Sequence, residues 1–434
     1  MFRRFFLFVM TTAALLLTPI NGAAQNQDQS LSELLPNLYA EAIVDEVLIL
    51  WLGLPDVGLD ELLVRARERF RNDTLPIIKL AGNQLSSYPL ASASGGFTWT
   101  LDTASGAFTR ASRSFGPIFA ERPLTIGRKR LNVGANFQRV TFDHLEKRSL
   151  RGGDIVSYLS QPLNDGNDHI FFANSLDLKV TTDTFSAFAT YGVTDRLDIG
   201  VAVPINRVDA QATLSARLGF TSSGFVPRRM TTWQNAGTAS GVGDVVIRAK
   251  YNMLKGNTWG IAESVDVRLP TGDELDLLGI AGSQVKLTFI ASSSVGVLSP
   301  HVNLAYTISG TSKAGDNPDT YVFPPSEEIN YAAGADLALS LRTTVAADVV
   351  GRVMRKAGTM AWGPADFDGS QYQQYQQFDF AAGQDLSLLL GSVGVKVNPW
   401  ANMLLTTNVL FPLSKHGLTD NLTWMAGIDY SFGQ

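Results

Sequence analysis

Four stretches of this chain alternate apolar and polar residues with a period of two over long runs. Leu197, Ile199, Val201, Val203 and Ile205 oppose Asp198, Gly200, Ala202 and Asn206, and Val245, Ile247, Ala249, Tyr251 and Met253 oppose Asp244, Arg248, Lys250 and Asn252. Val265, Val267 and Leu269 oppose Ser264, Asp266 and Arg268; Tyr331, Ala333, Ala335, Leu337, Leu339 and Leu341 oppose Gly334, Asp336, Ser340 and Arg342. Successive side chains of a strand point to opposite faces, so these are strands with one apolar and one wet face. The runs reach about 10 residues, the length of a tilted membrane-crossing strand rather than the ~5–6 of globular sheets. Consecutive runs are joined by turn residues, Lys255-Gly256-Asn257 in one case and Val397-Asn398-Pro399 in another. Such meander order closes naturally into an up-and-down barrel. Beyond the N-terminus no window is long and apolar enough for a spanning helix; the best, Ile43 to Leu54, is broken by Asp45 and Glu46.

The expected fold is all-β: an antiparallel up-and-down transmembrane β-barrel over residues 125–434, with about twelve strands and roughly 10 to 14 allowed. Closure is required because an open edge in hydrocarbon leaves backbone donors and acceptors unpaired at several kcal/mol each. The wet faces then line the lumen, and Asp198, Asn206, Arg248, Lys250, Asp266, Arg268, Asp336, Arg342 and Asp348 are the lining candidates. Tyr191, Tyr251, Trp259, Trp400 and Phe411 near strand ends fit interfacial girdles. Glu263 is the awkward residue, since alternation puts it on the lipid face with Ile261 and Val265.

The front of the chain has a different pattern. Arg3 and Arg4, the apolar run Phe5–Leu17 and the small residues Gly22-Ala23-Ala24 read as a secretory signal peptide over residues 1–24, cleaved near Ala24. From Gln25 to about Asp73 the reading is mostly helical, with Leu59, Leu62, Leu63, Ala66 and Phe70 at helical spacing. From about Leu75 to Pro123 the chain is rich in Ser, Gly and Thr, as in irregular structure or short hairpins. Residues 25–124 form an N-terminal, partly helical extension, with Phe97, Trp99, Phe108 and Phe115 as candidates to plug the lumen; packing outside the barrel in the periplasm is the competing arrangement.

The residue inventory excludes several kinds of chemistry. The chain has no cysteine, so thiol catalysis and cysteine metal sites are ruled out. His144, His169, His301 and His416 are scattered without metal-ligand spacing and read as surface or loop residues. Asp273, Glu274 and Asp276 read as a solvated acidic loop rather than a Ca²⁺ site. No metal and no cofactor is called for, and a formal net charge of −5 without a long basic run excludes nucleic acid as a partner. Ser299-Pro300-His301 is the nearest approach to a nucleophile beside a base, and is set aside on the expectation that the two side chains face opposite sides. The chain is read as a non-enzyme.

The last segment alternates cleanly, with Leu422, Trp424, Ala426, Ile428, Tyr430 and Phe432 on one face. It reads as the strand that closes the barrel and engages the barrel-assembly machinery, although Gly433 and Gln434 follow the aromatic. At Tyr191-Gly192-Val193-Thr194-Asp195-Arg196-Leu197-Asp198-Ile199-Gly200, Gly241-Val242-Gly243-Asp244 and Arg268-Leu269-Pro270-Thr271-Gly272-Asp273 the chain resembles the outer-membrane transporter-like barrels labelled "MetA-pathway of phenol degradation". Upstream, Ser94-Gly95-Gly96-Phe97, Phe115-Gly116-Pro117 and Ala120-Glu121-Arg122-Pro123 are similar to the extension seen on many such chains. The resemblance implies distant kinship with fatty-acid and aromatic-hydrocarbon channels of the outer membrane. It implies a conduit for small hydrophobic or aromatic solutes in a Gram-negative-type outer membrane, with outer-membrane lipid as partner. The alternative is a non-conducting structural or adhesive barrel acting through loops such as Ser309–Glu328 and Arg355–Gln377, the latter carrying Tyr372-Gln373-Gln374-Tyr375-Gln376-Gln377.

Overall fold

The computed structural model describes residues 30–50, 78, 81–82, 84, 96–101, 108–110, 112–162, 169–220, 224–225, 230–310, 325–367, 370–381, 383–400 and 402–432. The signal peptide and the helical pattern over Leu59–Phe70 lie outside the described residues. Among those described, twelve antiparallel strands form one closed ring: β1 (Leu131–Phe142), β2 (His169–Gly192), β3 (Leu197–Phe220), β4 (Val245–Lys255), β5 (Trp259–Leu269), β6 (Gln284–Ser293), β7 (Leu298–Ser309), β8 (Glu328–Ala338), β9 (Thr343–Met354), β10 (Leu386–Trp400), β11 (Met403–Pro412) and β12 (Thr423–Phe432). Each pairs with its sequence neighbour, and β12 returns to β1, from Trp424 opposite Arg139 to Phe432 opposite Leu131. The meander expected from the turn residues is thus the observed topology, with no strand edge left open to lipid.

The apolar face of each strand points outward. Along β7, Leu298, Val302, Leu304, Tyr306 and Ile308 are exposed while Ser299, His301, Asn303, Ala305 and Thr307 are buried. Leu287 and Phe289 of β6, Val265 of β5 and Val393 and Val397 of β10 continue the outer apolar band. A band of this extent is unsustainable in water and is what a hydrocarbon solvent selects. Tyr191, Tyr251, Trp259 and Trp400 sit exposed toward the end where the strands join by short turns. Glu263 also faces outward, between Tyr251 and Phe289 on the neighbouring strands and only a few residues from that rim. No bulge in its own strand turns it inward; its position near the interface, where a charge costs little, is what accommodates it.

One expected turn is displaced. Val397-Asn398-Pro399 lies within β10, and the reversal comes where Trp400 pairs with Met403 after a bulge. Asn398 makes the difference, its side-chain amide donating to the Met403 carbonyl at 2.6 Å.

The opposite end carries long connections. β2 and β3 are 24 residues each, about twice what the membrane requires. Their far halves pair with Ile155–Pro162 and Thr231–Val242 beyond the barrel proper. The inward face of β3 records the change of surroundings: it is polar at Asp198 and Asn206, then apolar at Val208, Ala210, Ala212, Leu214 and Ala216. Against this apolar wall packs helix α1 (Leu34–Leu50), entered through a 3₁₀ turn at Leu31–Glu33, with Leu31, Leu34, Leu35 and Leu38 buried. The hairpin Thr359–Phe367/Ser370–Ala381 joins the same cluster at its base through Met360 and Phe378, so the chain here is a paired hairpin rather than the irregular loop expected from its glutamine-rich sequence.

Candidate functional site

The barrel interior is crossed by the chain itself. Residues 112–126 run over the inward faces of strands on several sides of the ring, near the short-turn end. The Phe115 N–H donates to Thr344 Oγ1 on β9 at 2.9 Å, and the Ile118 and Phe119 N–H groups donate to Asp348 Oδ2 at 3.2 and 3.3 Å. Lys396 of β10 donates to the Pro117 carbonyl, and Asn252 of β4 to the Pro123 carbonyl at 2.8 Å. The Glu121 carboxylate meets Arg248 and lies 3.8 Å from Lys250, while Ile126 N–H donates to Asp198 at 3.1 Å. A lumen wall dense in ionisable groups is therefore matched by backbone and charge on the segment, which is how buried polar groups avoid their desolvation cost.

The glycines and aromatics of the segment serve this seat. Gly116 has φ +81°, and a Cβ there would meet the guanidinium of Arg122, which is buried against Ser112 and Ser114. Phe97 and Phe115 stack edge to face with centroids 5.4 Å apart over Leu404. Of the plug candidates, these two are buried inside the barrel; Trp99 and Phe108 belong to the short hairpin Trp99–Leu101/Phe108–Arg110.

Most predicted lining residues face inward: Asp198, Asn206, Lys250, Asp266, Asp336 and Asp348 are buried, and Arg248 and Arg268 border an internal cavity. Arg342 does not join them. It is exposed in the turn between β8 and β9, because the strand ends at Ala338 and the alternation carries on past it. His301 is the main residue the sequence misjudged. It is fully buried on β7, with Nε2 2.6 Å from Asp348 and Nδ1 3.5 Å from Asp336. Gly334 stands between His301 and Asp348 in the strand register, and a Cβ there would strike Asp348. That glycine within an alternating run, flanked two strands apart by a histidine and an aspartate, was the available signal. Ser299 and His301 share the inward face, contrary to the expectation that they oppose each other. Nε2 is held by Asp348, and Nδ1 meets the Ser299 backbone carbonyl at 3.3 Å with Asp336 just beyond, so the contact to Ser299 is through its main chain and not its hydroxyl.

Above the segment is a cavity of about 230 Å³, bounded below by Phe119, Ala120 and Glu121 and walled by inward residues of β3 to β9. Arg248 chelates Asp266, Lys286 lies 3.3 Å from Asp266, and Arg352 donates to Glu328. On the loop-end side, the connection from Pro270 to Ser283 is held by Asp244, which accepts from Gly272 N–H at 3.1 Å and Ile280 N–H at 2.9 Å. Burial pushes the Asp244 carboxyl above its ordinary range, and these amide donors work against that push. Asn206 donates to the Leu278 carbonyl at 3.0 Å, and Gly272 and Gly279 touch too closely for side chains. Asp276 accepts from Leu31 N–H at 3.2 Å, tying the 3₁₀ turn before α1 to the same connection.

Residues 160–398, more than half of the chain, match the family described as putative MetA-pathway of phenol degradation. The chain belongs to that family. The Gly-Val-Gly-Asp run at 241–244 and the Pro-Thr-Gly-Asp run at 270–273 supply the two sides of the Asp244 clasp. Among solved structures, similarity is found to an outer membrane channel from Pseudomonas putida F1, at 15% identity over 70% of this chain and 96% of that one, TM-score 0.41. A Ralstonia pickettii toluene transporter matches at 10% identity over 72% and 92%, TM-score 0.32, and a Pseudomonas aeruginosa FadL homologue at 11% over 70% and 89%, TM-score 0.30. At that likeness none of them bears on what this chain carries. No curated protein matches significantly.

Proposed function

We propose that this member of the MetA-pathway of phenol degradation family is a passive outer-membrane channel for small hydrophobic or aromatic compounds, with residues 96–126 as its plug. The observation that carries the reading is the order of surroundings along the interior. An apolar core at the loop end, in which Val208, Leu214, Leu278, Met354 and Leu386 pack with α1, overlies a polar cavity and then a segment held mainly by hydrogen bonds and ion pairs. Such a segment can be displaced without breaking any strand pairing. Secretion through the signal peptide, assembly through the strand ending at Phe432 and residence in outer-membrane lipid belong to the same proposal. The apolar outer band and the short-turn and long-loop ends support it. A barrel acting only through its loops is not favoured, since the hairpin at 359–381 is packed into the loop-end core.

Liposomes holding the purified protein should take up tracer benzyl alcohol faster than protein-free liposomes of the same lipid. Deleting residues 96–123 should raise the rate at least severalfold. A plug-deleted protein that runs as a folded, heat-modifiable barrel yet passes no solute would refute the channel.

A further inference from the structure

The cavity above the plug does not have the lining a neutral hydrocarbon would select. Its wall places four cations, Arg248, Arg268, Lys286 and Arg352, around two carboxylates, Asp266 and Glu328. The third carboxylate in the cavity, Glu121, belongs to the plug. It points at Arg248, which already chelates Asp266 through two nitrogens, and it stands 3.8 Å from buried Lys250. Asp266 is itself shared between Arg248 and Lys286. The Arg248–Lys286 side of the wall is therefore neutralised only when the plug supplies its carboxylate. Arg248 gives its Nε–Nη2 edge to Asp266 and meets Glu121 through Nη1, so its other guanidinium edge is the one a second carboxylate takes.

We infer that the cavity wall around Arg248, Arg268 and Lys286 is a binding station for a small organic carboxylate, and that Glu121 is the tethered carboxylate occupying it in the closed channel. The inference rests on the channel reading and narrows its cargo from hydrophobic compounds in general to those bearing an acid group on an apolar body. Phe119, Ala120, Ala305 and Ala332 of the cavity wall would receive the apolar body and the station the acid. An arriving carboxylate competes with Glu121 for Arg248, so the cargo that fits the station also loosens the plug.

The test compares benzoate with benzyl alcohol, which is nearly the same shape without the charge. By calorimetry on the full chain in detergent, benzoate should bind at least tenfold more tightly than benzyl alcohol. Glu121→Gln, which removes the internal competitor, should tighten benzoate a further three- to tenfold, and Glu121→Asp should restore the wild-type value. In planar bilayers under a KCl gradient, Glu121→Gln should shift the reversal potential toward anions. Equal binding of the two probes in both wild type and Glu121→Gln would overturn the station. If Glu121→Gln fails to give a heat-modifiable barrel, the wild-type comparison alone decides. Permeation of benzyl alcohol without preference for benzoate would sink the station and leave the channel. Selective benzoate binding with no permeation of either would do the reverse.

Discussion

Asp244 shows how much can rest on one side chain in a loop. It joins Gly272 and Ile280, and through them holds the connection that carries Leu278 and Asp276 to α1. Replacing it by alanine leaves two buried N–H groups without acceptors, about 1–3 kcal/mol each. Because burial raises its folded-state pKa, its contribution is full below the ordinary aspartate value of about 3.9 and is lost as pH rises through the raised one. Hydrogen exchange at residues 272–281, corrected for intrinsic rate, should therefore show more protection at pH 4 than at pH 8. Asp244→Ala should abolish both the protection and its pH dependence. The same scale shows where the sequence was opaque. The Gly-Val-Gly-Asp run was visible, but its acceptor role depends on amides 28 and 36 residues away that no local pattern connects. His301 was read as isolated for a similar reason: Asp336 and Asp348 reach it only through the register of two further strands.

Among the elements, α1 and the proposed plug divide the N-terminal extension between the two ends of the barrel. α1 sits at the loop end by apolar packing, with Leu38 fully buried. Leu38→Asp places a charge in that cluster and costs well over the 2–5 kcal/mol of a leucine truncation. The helix should detach and become a protease target in intact vesicles, while the barrel keeps its heat-modifiable shift; a protease-resistant variant would show that the packing does not hold it. The strands were legible because a one-sided apolar environment writes period two into every one of them. The plug was legible only as composition. Irregular backbone has no period, and its course is set by the wall residues it meets, Asp348, Arg248 and Asn252 among them.

For the whole molecule, the arrangement of apolar and polar faces is inverted relative to a water-soluble sandwich, and stability should respond accordingly. Leu304, exposed midway along β7, faces lipid while its neighbour Asn303 faces the plug. Leu304→Arg should cost about 2–4 kcal/mol of unfolding free energy in vesicles, read from urea titration by the gel shift. In a water-facing reading the same change would be nearly neutral. The twelve-strand count and the closing pair of β12 with β1 followed from strand length, meander order and the need for closure. What the alternation could not supply was where each strand stops, which is why Arg342 and the turn near Asn398 were misplaced.

The path of the extension has a consequence for biogenesis. Leu31 and Gln84 are held at the loop end, by Asp276 and by the Leu418 N–H, whereas Phe97 and Phe115 lie by Leu404 at the opposite end. The described parts of the extension thus stand at both ends of the ring before the first strand begins. A helix with its side chains is about 10–12 Å across, too wide to pass a lumen already filled with paired arginines and carboxylates. Order of events follows from this: α1 must be delivered to the far side while the wall is still an open sheet, and the seam between Trp424 and Arg139 is sealed around it afterwards.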